Sequence, residues 1–277
     1  DPAWPQYRYC AELAQAVPVS VPLRAEDGFK IDPDEVRRLI TPRTRMLLIN
    51  TPQNPTGAVL DESTLSALAD LAREHDLLIL ADEIYEKLIY DGRQHHSIGA
   101  MPGMWERTLT VNGMSKAFSM TGWRLGYLVA PGLIINAAVQ VMQYVTTCTN
   151  TFIQYGAASA LSDFAHTVDE MRVEFARRRD LVIDRLAEIE GLELAAPGGS
   201  FYAFPSIKKL GISSDEFSER LLETAHVATV PGSSFGDYGE GFIRIAYSTS
   251  YDNVAEGLDR IATFVASLAA DRDRALV

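Results

Sequence analysis

A chain of 277 residues, 47% of them apolar, can bury two packed lobes rather than one. Its 37 acidic residues against 25 basic give a net charge of −12, the wrong sign for gripping a nucleic-acid backbone. Two cysteines, Cys10 and Cys148, cannot build a disulfide framework, no apolar run reaches membrane-spanning length, and the opening DPAWPQYRY shows no secretory signal, so a cytoplasmic protein without membrane partners is expected.

In chain order, MLLIN (46–50) reads as a strand, and 61–75 as a helix with Leu65, Leu68, Ala69 and Ala72 on one face. LLILA (77–81), TLTVN (108–112) and WRLGYLVA (123–130) read as further strands. They are apolar throughout rather than alternating, and helical stretches separate them. That pattern predicts a mainly parallel sheet covered by helices, an α/β fold. The loop NTPQNPTG (50–57), with two prolines and a glycine, reads as a structured turn. From about 132 the character is helical, and the charged run 166–190 predicts a helix joining two lobes. Short strands near 192–195, 201–205, 227–230 and 242–247, with helices near 213–224 and 251–270, predict a smaller α+β lobe. The expected division is a large domain over 1–165, a connecting helix over 166–190 and a small domain over 191–277.

Three polar residues follow three of these strands: Asn54, Asp82 and Lys116. In open parallel sheets, ligands bind outside the carboxyl ends of the strands, so the three are expected to converge. The segment NGMSKAFSMTGWRLGY (112–127) adds Arg124 eight residues after Lys116. An amine can condense with an aldehyde, and a planar guanidinium can hold a phosphate. Each residue also has a plainer reading. Asp82 alone is a helix N-cap, Asn54 before Pro55 a turn former, and Tyr85 and Trp4 core aromatics. Arg244 lies in an otherwise apolar strand, where burial demands an anion. Glu83 reads as a solvated first-turn acid. His95 and His96 read as a surface pair, with no carboxylate or cysteine at metal-ligand spacing and no metal expected. PGGSFYAF (197–204) and VPGSSFG (230–236) read as turns.

NTPQNPTG, ADEIYEKLIYDG (81–92), the lysine segment and FIRIAYSTS (242–250) together resemble the class I pyridoxal-phosphate-dependent aminotransferases, in that family's order and spacing. The resemblance covers nearly the whole chain and implies fold type I, with pyridoxal 5′-phosphate as cofactor. It implies that Lys116 binds the cofactor covalently and carries the proton at the substrate's α-carbon. By the same resemblance Asp82 faces the pyridine nitrogen, and Tyr85 and Asn54 donate to the phenolic oxygen. Arg124 pairs with the phosphate, Trp4 stacks on the ring, and Arg244, with Asn54, binds the substrate's α-carboxylate. The segments at 146–161 and 199–205 are similar to the branch that handles aspartate and aromatic amino acids with a 2-oxo acid. A homodimer is implied, with the aromatic stretch Tyr144 to Tyr155 contributing.

Two alternatives share this scaffold: a C–S lyase working by β-elimination, and an inert aminotransferase-like ligand-binding module. The family carries an N-terminal portion ahead of the point where this chain starts, so the chain reads as part of a longer protein, the alternative being a short form that binds the cofactor weakly or not at all. Where the family often has a phosphate-binding serine, this chain has Gly113, and Ser115 is the substitute expected.

Overall fold

The computed structural model of the chain describes residues 1–275. The chain falls into two compact units. One comprises Asp1–Lys30, Gln53–Ala58 and the chain from Glu174 onward; the other comprises Ile31–Pro52 and Val59–Val173.

Helix α1 (Pro5–Leu13) opens the first unit and was not legible in the sequence, because none of its residues is buried. The second unit holds α2 (Pro33–Leu39), β1 (Met46–Asn50), α3 (Glu62–Glu74), β2 (Leu78–Asp82), β3 (Thr108–Gly113), β4 (Gly126–Val129), α4 (Gly132–Val145) and α5 (Thr151–Asp163). Asp61 starts α3 by accepting the Thr64 N–H at 2.9 Å, and Leu65, Leu68, Ala69, Leu71 and Ala72 form its buried face. The strand order is β1-β2-β3-β4. The first three strands are parallel, with Asn50 beside Asp82 and Asp82 beside Val111.

β4 departs from the parallel expectation and pairs antiparallel with β3, Asn112 against Tyr127 and Gly113 against Gly126. A parallel return needs a crossover, usually a helix. The connection from Met114 to Leu125 holds only a 3₁₀ turn at Thr121–Trp123, so the chain doubles straight back. Trp123 and Arg124, expected in the strand, lie in and just after that turn. Met46, Leu48, Leu78, Tyr127 and Val129 on this sheet remain exposed, and α4 buries none of its residues despite its apolar sequence.

Helix α6 (His166–Ala187) contributes to both units. The first unit then adds β5 (Tyr202–Ala203), α7 (Ser214–Ala225), β6 (Val230–Pro231), β7 (Ile243–Ala246) and α8 (Tyr251–Ala275). Its sheet runs β5-β7-β6, antiparallel throughout. The strand expected near 192–195 reduces to one bridge, Glu193 to Ser206. The core is aromatic: Phe204 stacks on Phe242 at 5.1 Å, and Phe29 meets both edge-on.

The proline-rich turn is tied into this unit through Gly57, whose carbonyl accepts the N–H groups of Gly198 and Gly199, both at 2.9 Å. Gly57 has φ +73°, and a Cβ there would lie 2.4 Å from Pro197 Cβ. Only glycine fits both the dihedral and the space.

Candidate active site

In the second unit the sheet brings several polar groups to the carboxyl ends of β1, β2 and β3. Asp82 ends β2 and is buried; its Oδ1 accepts the Ile84 N–H at 3.1 Å. Asn50, ending β1, donates from Nδ2 to the Asp82 carbonyl at 3.0 Å. At the end of β3, Asn112 Oδ1 accepts the Gly113 N–H at 2.7 Å. Lys116 follows three residues later, half-buried, with Nζ 5.9 Å from the centre of the buried Tyr85 ring. Its position is held by its neighbours. Met114 and Ala117 are buried, and Met114 packs with Ala157 and Ala160 of α5, beside Phe118, Met120 and Leu125. An apolar anchor on each side presents the amine without burying it. Ser115 is partly buried in the same stretch.

Gly113 has a structural cause. A Cβ at this position would lie 2.9 Å from the Leu125 carbonyl oxygen and 3.0 Å from Gly126 Cα. Both obstacles are backbone of the β3–β4 pairing, so a serine here would force the strands apart. Arg124 is exposed, in the left-handed region at φ 54°, and its Nη1 donates to the Thr121 carbonyl at 2.9 Å.

The first unit holds the other three residues singled out from the sequence. Arg244 on β7 donates from Nη1 to Oδ1 of the buried Asn54 at 2.9 Å. Its guanidinium lies 4.5 Å from the Tyr202 ring centre and 5.0 Å from that of Phe235. Those two rings were read from sequence only as parts of turns; the signal available was their aromatic character flanking tight glycine turns. Trp4 caps the start of α1, is 39% exposed, and meets Tyr7 edge-on at 5.4 Å. Its segment is pinned by the Ala3 N–H to the Phe235 carbonyl at 2.9 Å and by Gln53 Nε2 to the Pro2 carbonyl at 3.0 Å.

The structure corrects the reading of Glu83 and His95. Glu83 is no solvated acid and His95 no surface residue: their side chains are 4% and 12% exposed, and His95 Nε2 lies 3.0 Å from Glu83 Oε2. Ligand atoms of Glu83, Glu86 and His95 all fall within 4.8 Å of one another. The twelve-residue gap between Glu83 and His95 hid the pair, because the intervening loop and not a helix repeat brings them together. Nearby, burial and then the charges of Glu86 and Glu83 push the Tyr127 phenol above its usual pKa.

The donor set fits pyridoxal phosphate: an amine beside a tyrosine ring, a buried carboxylate on the neighbouring strand, and an exposed guanidinium after the same turn. Comparison with known proteins agrees. The profile of the family "Aminotransferase class I and II" matches residues 1–261. The aromatic-amino-acid aminotransferase 2 of Thermococcus litoralis is 50% identical over 263 residues, 94% of this chain and 67% of that protein. An aspartate aminotransferase of Pyrococcus abyssi is 50% identical over 262 residues, with the same shares covered. Among solved structures, an aromatic aminotransferase from Pyrococcus horikoshii superposes with a TM-score of 0.93 at 47% identity, over 100% of this chain and 73% of that one. The chain thus spans about two thirds of the length of the curated relatives it matches. With its motifs, strand order and lysine site accounted for, the chain belongs to the class I and II aminotransferases, enzymes of fold type I that work with pyridoxal phosphate.

Proposed function

We propose that the residues singled out from the sequence bind pyridoxal phosphate and move an amino group between an L-amino acid, aspartate or an aromatic one, and a 2-oxo acid. The names of the Thermococcus and Pyrococcus relatives support that substrate class. One observation carries the assignment of roles: Lys116 and the buried Asp82 follow adjacent parallel strands, with Tyr85 lying under the amine.

When bound, pyridoxal phosphate supplies an electron sink for the carbanion left at the substrate's α-carbon. Lys116 would hold the cofactor covalently until an amino acid displaces it, and then carry the proton released at the α-carbon. Asp82 would keep the pyridine nitrogen protonated. Tyr85 and the Nδ2 of Asn54 would donate to the phenolic oxygen. Arg124 and Ser115 would hold the phosphate, with Trp4 against the ring face. Arg244, with its planar donor fork, would clamp the substrate's α-carboxylate. Water would release the first 2-oxo acid and leave the amino group with the cofactor, and a second 2-oxo acid would take that group up, which gives ping-pong kinetics.

The protein is proposed to act in the cytoplasm, which its two unpaired cysteines suit. A homodimer is proposed from the exposed apolar side chains of α4 and α5: Tyr144, Val145, Phe152 and Tyr155 are each more than two-thirds exposed. The test is the absorbance spectrum on adding pyridoxal phosphate. A visible band should form in the unaltered protein and be missing in Lys116→Ala. A band of equal strength in both would refute the assignment.

A further inference from the structure

The turn that carries Asp82 and Tyr85 is built from consecutive residues, and Glu83 stands between them. Its backbone is engaged in the second unit: the Glu83 N–H donates to the Val111 carbonyl at 3.0 Å, and its carbonyl accepts the Glu86 N–H at 2.9 Å. Its side chain lies 4% exposed against His95, which arrives from the loop after Gly92. Neither nitrogen of the His95 ring makes an aligned hydrogen bond, and the ring's polar contact is the 3.0 Å approach of Nε2 to Glu83 Oε2. The titratable groups beside it include Glu86, itself 3.7 Å from Lys87, and Tyr127 on β4.

A buried carboxylate without a polar partner is unstable, so Glu83 must either keep His95 or move. Glu83 shares its backbone with the peptide that joins Asp82 to Tyr85, so a carboxylate driven out of its buried place can displace that peptide. We propose that the Glu83–His95 pair is a positioning brace: it fixes the Asp82–Glu86 turn so that the Asp82 carboxylate and the Tyr85 phenol reach the cofactor together. This rests on the cofactor roles proposed for Asp82 and Tyr85. Neither Glu83 nor His95 touches the cofactor in this scheme.

The test uses two readouts on the same variants. His95→Leu removes the partner. His95→Gln keeps a neutral donor, because the glutamine Nε2 can occupy the place of the imidazole Nε2. Amide hydrogen exchange over residues 82–86 is measured without cofactor, and the dissociation constant of pyridoxal phosphate is measured from the visible band. The brace predicts faster exchange in His95→Leu and a dissociation constant raised by about tenfold, as expected when a supporting group behind a binding residue is lost. It predicts that His95→Gln recovers most of both.

Unchanged exchange in His95→Leu would overturn the brace whatever the cofactor does. Faster exchange with unchanged cofactor affinity would show a stabilising pair that positions nothing, and would also overturn it. Tight binding of one zinc ion that requires Glu83, Glu86 and His95 would replace the pair by a metal site and overturn it too. Absence of a Lys116-dependent band in the unaltered protein refutes the lysine assignment instead, and the exchange measurement still decides whether His95 holds the turn.

Discussion

Arg244 and Asn54, 190 residues apart, are joined by a 2.9 Å hydrogen bond from Nη1 to Oδ1. The bond fixes the guanidinium on one side while the rings of Tyr202 and Phe235 fix its faces. A planar donor held in this way is pre-oriented for a carboxylate. Lysine cannot reproduce the fork. Arg244→Lys should therefore weaken the amino-acid substrate, with kcat/KM lowered by about thirtyfold, near the 2 kcal/mol typical of a hydrogen bond to a charged group. The cofactor's visible band should be retained. Loss of the band along with substrate affinity would mean that Arg244 supports the fold and not the substrate.

Asn54→Ala removes the acceptor and leaves the guanidinium with its aromatic bracket. Its cost should fall on KM by the same route, since the cation is still present but no longer held on one side, and the lost Nδ2 donor to the phenolic oxygen should change the cofactor's visible band as well. A KM equal to that of the unaltered protein would mean that Asn54 does not orient Arg244.

Gly57 offers a stability test. A methyl group there meets Pro197 Cβ at 2.4 Å and the Gly199 carbonyl oxygen at 2.9 Å, at a φ of +73° that disfavours any side chain. Gly57→Ala should cost about 2–4 kcal/mol from overpacking and strain together. The measurement is the denaturant midpoint. A change below about 0.5 kcal/mol, the range of neutral surface substitutions, would show that the Pro197–Gly199 turn yields easily.

What was legible in the sequence follows from how strongly each segment's burial is written in it. MLLIN, LLILA and TLTVN are apolar runs bounded by polar residues, and they became β1, β2 and β3 within one residue of the expected limits. Asp82 and Lys116 stood out because they end or closely follow those runs. The direction of β4 was not written there, since a strand's apolar pattern is the same whichever way it runs. Helix α1 escaped notice because PQYRYCAEL has no buried face to impose a period. The strands of the small sheet are two to four residues long, too short for any period to show, so only their neighbourhood could be foreseen. His95 was misread for a different reason. Burial of a polar pair brought together by a loop leaves no mark in local composition.

Tyr127 provides a pH test. Burial first, then the negative charges of Glu86 and Glu83, raises its pKa above the ordinary phenol value. A raised folded-state pKa adds stability that is fully present below the unfolded value of about 10 and is lost as pH rises through the higher folded value. Phenol ionisation followed by ultraviolet absorbance should contain a step later than free tyrosine that Tyr127→Phe removes. Glu86→Gln should bring it earlier. A Tyr127 that titrates with the free phenol would mean that neither burial nor the two carboxylates act on it.

The exposed apolar side chains of α4 and α5 make the last prediction. Tyr144, Phe152 and Tyr155 are 93%, 68% and 76% exposed, and α4 as a whole buries nothing although its sequence is that of an interior helix. Each large aromatic left in water forfeits about 1.5–3 kcal/mol that burial would recover. Large apolar side chains left exposed in this number mark an interface more often than a solvated face. Placing one aspartate in the loop-side half of each helix, as Tyr144→Asp with Phe152→Asp, adds two charges that a second copy would have to desolvate. In sedimentation velocity the unaltered protein should run as a dimer at micromolar concentration and the double variant as a monomer. Because both side chains are exposed within the chain, the monomer should keep the far-ultraviolet circular dichroism of the original. A double variant that stays dimeric would move the interface off this surface, and one that unfolds would show that α4 and α5 need these aromatics within the chain itself.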